Sequence, residues 1–371
     1  MKFTIHKTSG SARTGVIETA HGAIQTPVFM PVGTAATVKA LSVDDLKEIG
    51  AEIILGNTYH LMLRPGAERV ERLGGLHKFM NWDGPILTDS GGFQVMSLSK
   101  IRKITEAGVK FQSHIDGTEY MLSPERSIEI QHKLGATITM IFDECTPFPA
   151  THDVARESME LSLRWAKRSK DAYVERPGYG LFGIVQGSVY EDLRRISAEG
   201  LKAIGFDGMA IGGLAVGEGQ DMMFKTLEHT VPHLPTDKPR YLMGVGKPLD
   251  IIGAVMRGVD MFDCVLPTRN ARNGQIFTKQ GAINITNAKY ADDASVIDPN
   301  GGISALTKYS KAYLHHLIKA NEILGCMLCT RINIYFYVNM MREIRAAIAA
   351  GQLEEYYEGM RKVFVKEEAE M

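Results

Sequence analysis

The sequence predicts an α/β chain folded as a (β/α)8 TIM barrel with insertions and a C-terminal helical subdomain. Three observations predict it. Eight short runs are apolar on both faces, as the strands of a parallel sheet covered on both sides must be. Helical periodicity separates most of these runs, so strands and helices alternate. Polar residues close at least six of the runs, at Asn57, Asp89, Asp143, Gln186, Gly213 and Asp263, and a barrel gathers its strand ends on one face. A doubly wound open sheet is the alternative. The gathering of polar strand ends favours the barrel, and it predicts an enzyme.

In chain order the runs are TPVFMPVG (26–33), EIILGNT (52–58), PILTDSGG (85–92), ITMIFDEC (138–145), LFGIVQG (181–187), GMAIGGL (208–214), RYLMGVG (240–246) and DMFDCVLP (260–267). Helices are expected over 42–50, 123–135, 151–173, 190–205 and 248–258. Ser42, Ser123 and Thr151 read as N-caps, because a hydroxyl accepts from the open N–H groups of a first turn; Gly50, Gly135 and Gly205 read as stops. Two segments read as insertions. Residues 97–122 are basic, with strand-like alternation toward their end. Residues 268–300 are rich in Asn and Gly and predict a hairpin in GQIFTKQGAINITN. Beyond 307 the pattern is helical, and the final KEEAEM reads as a frayed, solvated end. The barrel with its first insertion is expected to fill 1–267. The hairpin and helical subdomain, 268–371, are expected to pack back on it.

Composition bounds the function. Lys and Arg number 42 against 43 Asp and Glu, so no global basic field exists, and any nucleic-acid contact must come from a local patch. Four cysteines are too few for a disulfide scaffold and fit a reducing compartment. No run approaches 18 consecutive apolar residues, and the opening residues lack the apolar stretch of a signal peptide. A cytoplasmic protein without a membrane segment is expected. Glycine, at 37 of 371 residues, implies many tight turns or many places where backbone approaches a ligand.

The strand ends carry the candidate chemistry. Asp89, in TDSGGFQ, places an acid beside exposed backbone N–H groups that can hold a ligand oxygen; the plainer reading is a capping Asp in a tight turn. Asp263, in MFDCVLP, is an acid between apolar residues, costly to bury unless paired or functional, and suited to act as nucleophile or base. Its plainer reading is an ion pair with Arg269 or Arg272. One of Asp143 and Glu144 is expected to face the barrel mouth and accept from the N–H groups of a heterocycle, or else to cap the following helix. Gln186 offers donor and acceptor, and Gly212-Gly213 lets backbone approach a flat ligand, although a glycine pair alone reads equally as a turn. Two strand-end carboxylates with such neighbours suit glycosyl chemistry. Basic residues gather late, at Lys247, Arg257, Arg269, Arg272, Lys279, Lys308, Lys311, Lys319, Arg331 and Arg342, as a phosphate-contacting surface or a solvated helix face.

Eight motifs then coincide in order: GNTYHLMLRPG (56–66), DSGGFQVMSL (89–98), FDECTPFPA (142–150), GIVQG (183–187), GGLAVGEG (212–219), YLMGVGKP (241–248), MFDCVLPTRNARNG (261–274) and NAKYADD (287–293). Together they resemble the bacterial tRNA-guanine transglycosylase (queuine tRNA-ribosyltransferase) family across nearly the whole chain. The resemblance implies exchange of guanine at the first anticodon position of tRNAs with a GUN anticodon for 7-aminomethyl-7-deazaguanine. It implies Asp263 as nucleophile on the ribose and Asp89 as proton acceptor, with no organic cofactor. It implies base recognition by Asp89, Ser90, Gly91, Gly92, Asp143, Gln186, Gly213 and Leu214, with Phe93 and Met243 sandwiching the flat base. RNA contacts are implied at Gly244, Val245, Gly246, Lys247, Pro248, Leu249 and Asp250, and at Thr268, Arg269, Asn270, Ala271 and Arg272. The partners implied are a tRNA anticodon loop, a 7-deazaguanine base and a second copy of the chain.

One part of the pattern is missing. The family carries a structural zinc held by C-x-C-x2-C and a later His. Aligned on KYSKAYLHH (308–316), those positions are Gly301, Ile303, Leu306 and Ile332. Replacement of all four ligands, three by apolar residues, predicts a small hydrophobic cluster and no zinc. Burial of the three aliphatic side chains returns about 1.5–3 kcal/mol each. Cys326 and Cys329 are spaced as C-x2-C, but the helical pattern beyond 307 carries them and no second pair exists. Tyr309, Tyr313 and His316, at i, i+4 and i+7, are expected on one helix face, as interface aromatics or as core. The lost zinc makes dimer strength the property most exposed. A non-catalytic tRNA-binding partner subunit is the alternative reading, and retention of Asp89 and Asp263 argues against it. A barrel hydrolase of small nucleosides is a third, disfavoured by Arg269, Arg272 and the extra subdomain.

Overall fold

The computed structural model describes residues 1–98 and 102–368. Part of the basic stretch of the first insertion (99–101) and the end of KEEAEM (369–371) lie outside the described residues. All eight apolar runs are strands: β1 (Val28–Gly33), β2 (Ile54–Gly56), β3 (Ile86–Thr88), β4 (Ile138–Met140), β5 (Gly180–Val185), β6 (Gly208–Ile211), β7 (Arg240–Leu242) and β8 (Met261–Cys264). Each pairs in parallel with its neighbours, and β8 closes on β1 to complete the barrel. The strands are short because the apolar runs carry on into the polar loops of the mouth. Every residue of β1 to β7 is buried; in β8, Asp263 and Cys264 are partly open.

The helix boundaries follow the cap chemistry. Ser42 accepts from Asp45 N, and Asp45 returns a bond to Ser42 N, a reciprocal box that starts helix Val43–Ile49. Ser123 caps Pro124–Leu134, with Pro at the first helical position. Thr151 caps His152–Ala172. Gly50 and Gly135 end their helices in the left-handed conformation.

The N-terminal residues form a three-stranded antiparallel sheet, Lys2–Ser9, Ala12–Thr19 and Gly22–Thr26, which the apolar pattern did not reveal. It closes the amino-terminal end of the barrel. Arg13 lies buried in a two-pronged pair with Asp260 just before β8 and donates to the carbonyls of Thr236 and Lys238 just before β7. His21 bonds Thr137 before β4. The first insertion contributes a second small sheet, Arg102–Thr105, Gly108–Gln112 and Glu119–Leu122.

The later region is a hairpin, Gln275–Thr278 with Gly281–Asn284, followed by helices Lys311–Lys319, Ile323–Ala350 and Leu353–Glu368. Helix Leu266–Arg272 straddles the expected boundary at 267/268. Helix Ile323–Ala350 is long and apolar enough to cross a membrane, which a search for unbroken apolar runs did not find; 61% of its most apolar stretch is buried inside the protein. Two buried polar side chains one turn apart tie it to the barrel mouth. Asn333 donates to the carbonyls of Pro267 and Gln275 and accepts from Phe277 N. The Tyr337 hydroxyl donates to Gly246 O at 2.5 Å.

Ile303, Leu306 and Ile332 are 3%, 6% and 1% exposed and share one apolar cluster with Tyr290, Leu314 and Cys329. At Gly301 a Cβ would fall 2.6 Å from the Leu306 side chain, so a larger residue there has no room. Aliphatic side chains offer a metal no lone pair, so these residues do not fit a zinc ion. Among the described residues no three His, Cys, Asp or Glu lie together as a ligand set. Tyr309 precedes helix Lys311–Lys319 and so is not on it, a correction to the one-face expectation; its ring still stacks on Tyr313, at a centroid distance of 5.9 Å. Tyr313 and His316 are exposed, so they are not core.

Candidate active site

The carboxyl ends of the strands surround a cleft of about 460 Å³. Asp89, Ser90, Phe93, Asp143, Gln186, Gly213, Leu214, Met243, Gly244, Asp263, Thr268, Arg269 and Arg272 all line it. Residues 174 positions apart in the chain meet there because each follows a strand of the same barrel.

Asp89 follows β3. One carboxylate oxygen accepts from Asn57 Nδ2 (2.5 Å) and Gln94 Nε2 (2.8 Å), the other from Thr58 N (2.8 Å). Thr58 opens helix Thr58–Leu63, whose N-cap Asn57 makes no side-chain cap. Asp89 therefore does cap a helix N-terminus, from another strand, while facing the cleft. Burial pushes its carboxyl up to about 6; the hydrogen bonds from Asn57 and Thr58 oppose this and the Asp263 charge reinforces it.

Asp263, on β8, accepts from the Tyr241 hydroxyl at 2.6 Å and from Gly244 N at 2.8 Å. Its partners are neutral donors, where the plainer sequence reading had an ion pair with Arg269 or Arg272. Burial raises its carboxyl, and the two donors oppose the rise. Burial and the Asp263 charge hold Tyr241 far above the usual phenol range, so its hydroxyl stays a donor.

Of the acidic pair after β4, Asp143 faces the cleft. It accepts from Ser90 Oγ at 3.1 Å and Gln186 Nε2 at 2.8 Å, and burial pushes it up to about 6. Thr151, not Asp143 or Glu144, caps the following helix. Gln186 lines the cleft, and its Oε1 is buried against Gly213 without a hydrogen-bond partner. A Cβ on Gly212 would fall 2.7 Å from Gln186 Nε2, and one on Gly213 2.6 Å from Oε1. The glycine pair is therefore required by the Gln186 amide that lies against it. Burial and Asp143 push the Cys145 thiol up to about 12, which leaves it neutral.

Phe93 stands 52% exposed at the rim, with Met243 also on the wall. Gly91 and Gly92 are buried beside the cleft and do not line it; a Cβ on Gly92 would meet Asp143 O at 2.6 Å. Among the residues expected to contact RNA, the side chains of Val245, Pro248 and Ala271 are buried and can only shape their segments. Asn270 donates to Gln275 Oε1 at 2.5 Å, back toward the hairpin. Gly246, Lys247, Leu249 and Asp250 continue from Gly244 along the rim into helix Pro248–Met256. The late basic residues divide. Arg257, Lys279, Lys311 and Arg331 are ion-paired to Glu228, Glu343, Asp293 and Asp45, whereas Arg269 and Arg272 face the cleft.

Sequence reasoning missed Tyr241, Gln94 and Thr58, which hold the two acids, and Lys39 and His60 on the wall. Tyr241 had a signal: it is a polar-tipped residue in a short barrel strand whose neighbours are buried.

This geometry agrees with what the chain is similar to. Residues 8–366 match the family model described as queuine tRNA-ribosyltransferase. The queuine tRNA-ribosyltransferase of Rickettsia akari (strain Hartford) is 62% identical over 355 residues, 96% of this chain and 98% of its own. Those of Rickettsia typhi (strain ATCC VR-144 / Wilmington) and Rickettsia conorii (strain ATCC VR-613 / Malish 7) are each 63% identical over 350 residues, 94% of this chain and 97% of theirs. With a family match over nearly its full length and two acids facing one barrel cleft, the chain belongs to the queuine tRNA-ribosyltransferase family.

Proposed function

We propose that the protein is a pentosyltransferase that exchanges guanine at the first anticodon position of GUN-anticodon tRNAs for 7-aminomethyl-7-deazaguanine, within queuosine biosynthesis. The observation that carries this reading is the pair of carboxylates in one cleft, each held by neutral donors and each raised by burial. A binding scaffold has no use for two costly acids, which disfavours a non-catalytic partner subunit.

In this reading an Asp263 carboxylate oxygen attacks C1′ of the ribose. The C1′–N9 bond breaks, and guanine leaves with a proton from Asp89. The incoming base then gives its N9 proton to Asp89 and attacks C1′, which expels Asp263. Two inversions give net retention. A carboxyl near 6 suits Asp89 to give and take a proton close to neutrality. Asp143 accepts from the N–H edge of the base, while the Gln186 amide and the Gly213 N–H donate to its ring carbonyl. Phe93 and Met243 cover its faces. Arg269 and Arg272 supply the local positive patch for the anticodon loop, whose unstacked bases make extrusion of one inexpensive.

The same reading makes the protein a cytoplasmic, zinc-free homodimer, supported by the apolar cluster at Ile303, Leu306 and Ile332 and by the exposed face of Tyr313 and His316. Sedimentation tests the dimer: a monomer at micromolar concentration removes it.

The test of function is incorporation of labelled guanine into a GUN-anticodon tRNA, with Asp263→Asn beside the parent. Incorporation by the parent, reduced at least about a thousandfold in the variant, is expected. Binding of tRNA by the parent without incorporation overturns the reading in favour of the scaffold.

A further inference from the structure

Arg194 is fully buried on helix Glu191–Ile204, yet it is unlike Arg13 and Arg240, the other buried arginines of the barrel, which both lie near the Asp260 charge. Arg13 is neutralised by Asp260. Arg194 has no such partner. Its Nε donates to Ser188 O at 2.6 Å, and its Nη1 to Val185 O at 3.1 Å and Gly212 O at 2.8 Å. All three acceptors are backbone carbonyls, and Nη2 is buried with no hydrogen-bond partner at all. The Glu218 charge acts on it only without an ion-pair contact, and a guanidinium taken out of water without a contacting counter-charge is expensive, so the fold gains something from it.

The carbonyls identify the gain. Val185 ends β5, and Gln186 follows it. Ser188 closes that loop in a left-handed conformation (φ 51°) uncommon for a non-glycine residue. Gly212 follows β6 and precedes Gly213. The planar fork therefore fastens together the ends of two adjacent strands, on either side of the Gln186 amide. A trans peptide points its C=O and N–H in opposite directions. Holding Gly212 O on Arg194 thus turns the Gly213 N–H away from the helix, toward the side lined by Cys145 and Gln186. Ser197, one turn further along the same helix and 1% exposed, completes the arrangement, since its Oγ accepts from Gln186 N at 3.1 Å.

We infer that Arg194 is a positioning residue, assisted by Ser197, that sets the spacing between the Gln186 amide and the Gly213 N–H and so lets the cleft read a purine's ring carbonyl. This inference rests on the base-recognition part of the proposed function. Lysine cannot replace the fork, because one ammonium group does not span three carbonyls on two strands.

The test is direct binding of free bases, without turnover. 2-Aminopurine is fluorescent and lacks the carbonyl, so guanine displacing it gives the ratio of the two affinities. The parent is expected to prefer guanine. In Arg194→Lys the preference is expected to fall at least about fivefold, with tRNA affinity within about twofold of the parent, a pattern that a loss of stability does not produce. Ser197→Ala is expected to lower the ratio in the same direction by less, and it decides the matter where Arg194→Lys does not fold. An unchanged ratio in the folded variants, with only a lower melting temperature, overturns the inference, and so does a parent with no preference. A parent that prefers guanine but does not incorporate it into tRNA removes the proposed reaction and leaves the positioning role standing.

Discussion

The barrel mouth and the apolar cluster of the C-terminal region treat polarity in opposite ways. At the mouth, Asp89, Asp143 and Asp263 are drawn out of water until burial raises all three, and Arg194 is buried without an ion-pair contact. In the C-terminal cluster, Gly301, Ile303, Leu306 and Ile332 present no polar side chain at all. The first region gives up stability to keep ionisable groups out of water. The second fills its space with groups that only pack. The two regions should therefore respond to mutation in different measurements, one in rate and the other in melting.

The largest effect sharpens the first half of that contrast. Asp89→Asn is expected to slow guanine exchange by about 10²–10⁴-fold, read by incorporation into tRNA. In the parent, exchange should fall as pH rises above about 6, because the acid form of Asp89 that protonates the leaving guanine is depleted over that range. Stability falls in the same direction. The folded-state values of Asp89 and Asp143, about 6, exceed the ordinary 3.8. The folded protein thus binds more protons between these values, and the two acids withdraw stability as pH rises through that window. Melting followed across pH 4–7 checks the sign in a variant with both acids replaced by Asn, whose melting should vary less over the window than the parent's.

Next is the packed region. Ile332→Ala should cost about 2–5 kcal/mol in chemical denaturation, with the exchange rate of the folded protein little changed. A large rate loss at full stability would break the contrast. Tyr241→Phe should come third: it removes one charge-assisted hydrogen bond from Asp263, worth about 1.5–3 kcal/mol, and should appear in kcat rather than in tRNA affinity. The smallest effect is the most telling for the second region. A strong chelator should leave the melting temperature unmoved, and metal analysis of the purified protein should find no stoichiometric zinc. A chelator-induced drop in melting would overturn the packing account.

The sequence made the barrel legible because each strand is buried on both faces and stops at a polar residue, a signal local enough to read without partners. The caps at Ser42, Ser123 and Thr151 were legible for the same reason. The N-terminal sheet was not, since its outer strand is largely exposed and its anchor, Arg13, finds Asp260 247 residues away. The acids of the site were legible as costly residues at strand ends. Their holders were not. Tyr241, Gln94 and Arg194 look like ordinary strand or helix residues until the barrel closes, and only closure brings Ser188, Val185 and Gly212 to one guanidinium. Tyr309 failed for a smaller reason: Ser310 caps the helix that the residue was expected to share.

Asn333 and Tyr337 give the long helix a mechanical meaning. Its 28 residues form a strut of roughly 42 Å at 1.5 Å per residue. One pin holds the start of the Leu266–Arg272 helix and the hairpin, and the next turn holds the loop at Gly246. Neither rim segment can travel without dragging the strut, and the strut cannot travel without dragging both. The two sides of the cleft that flank Asp263 are thus pinned to one rod, whose first turn, around Ile323, stands exposed at the surface.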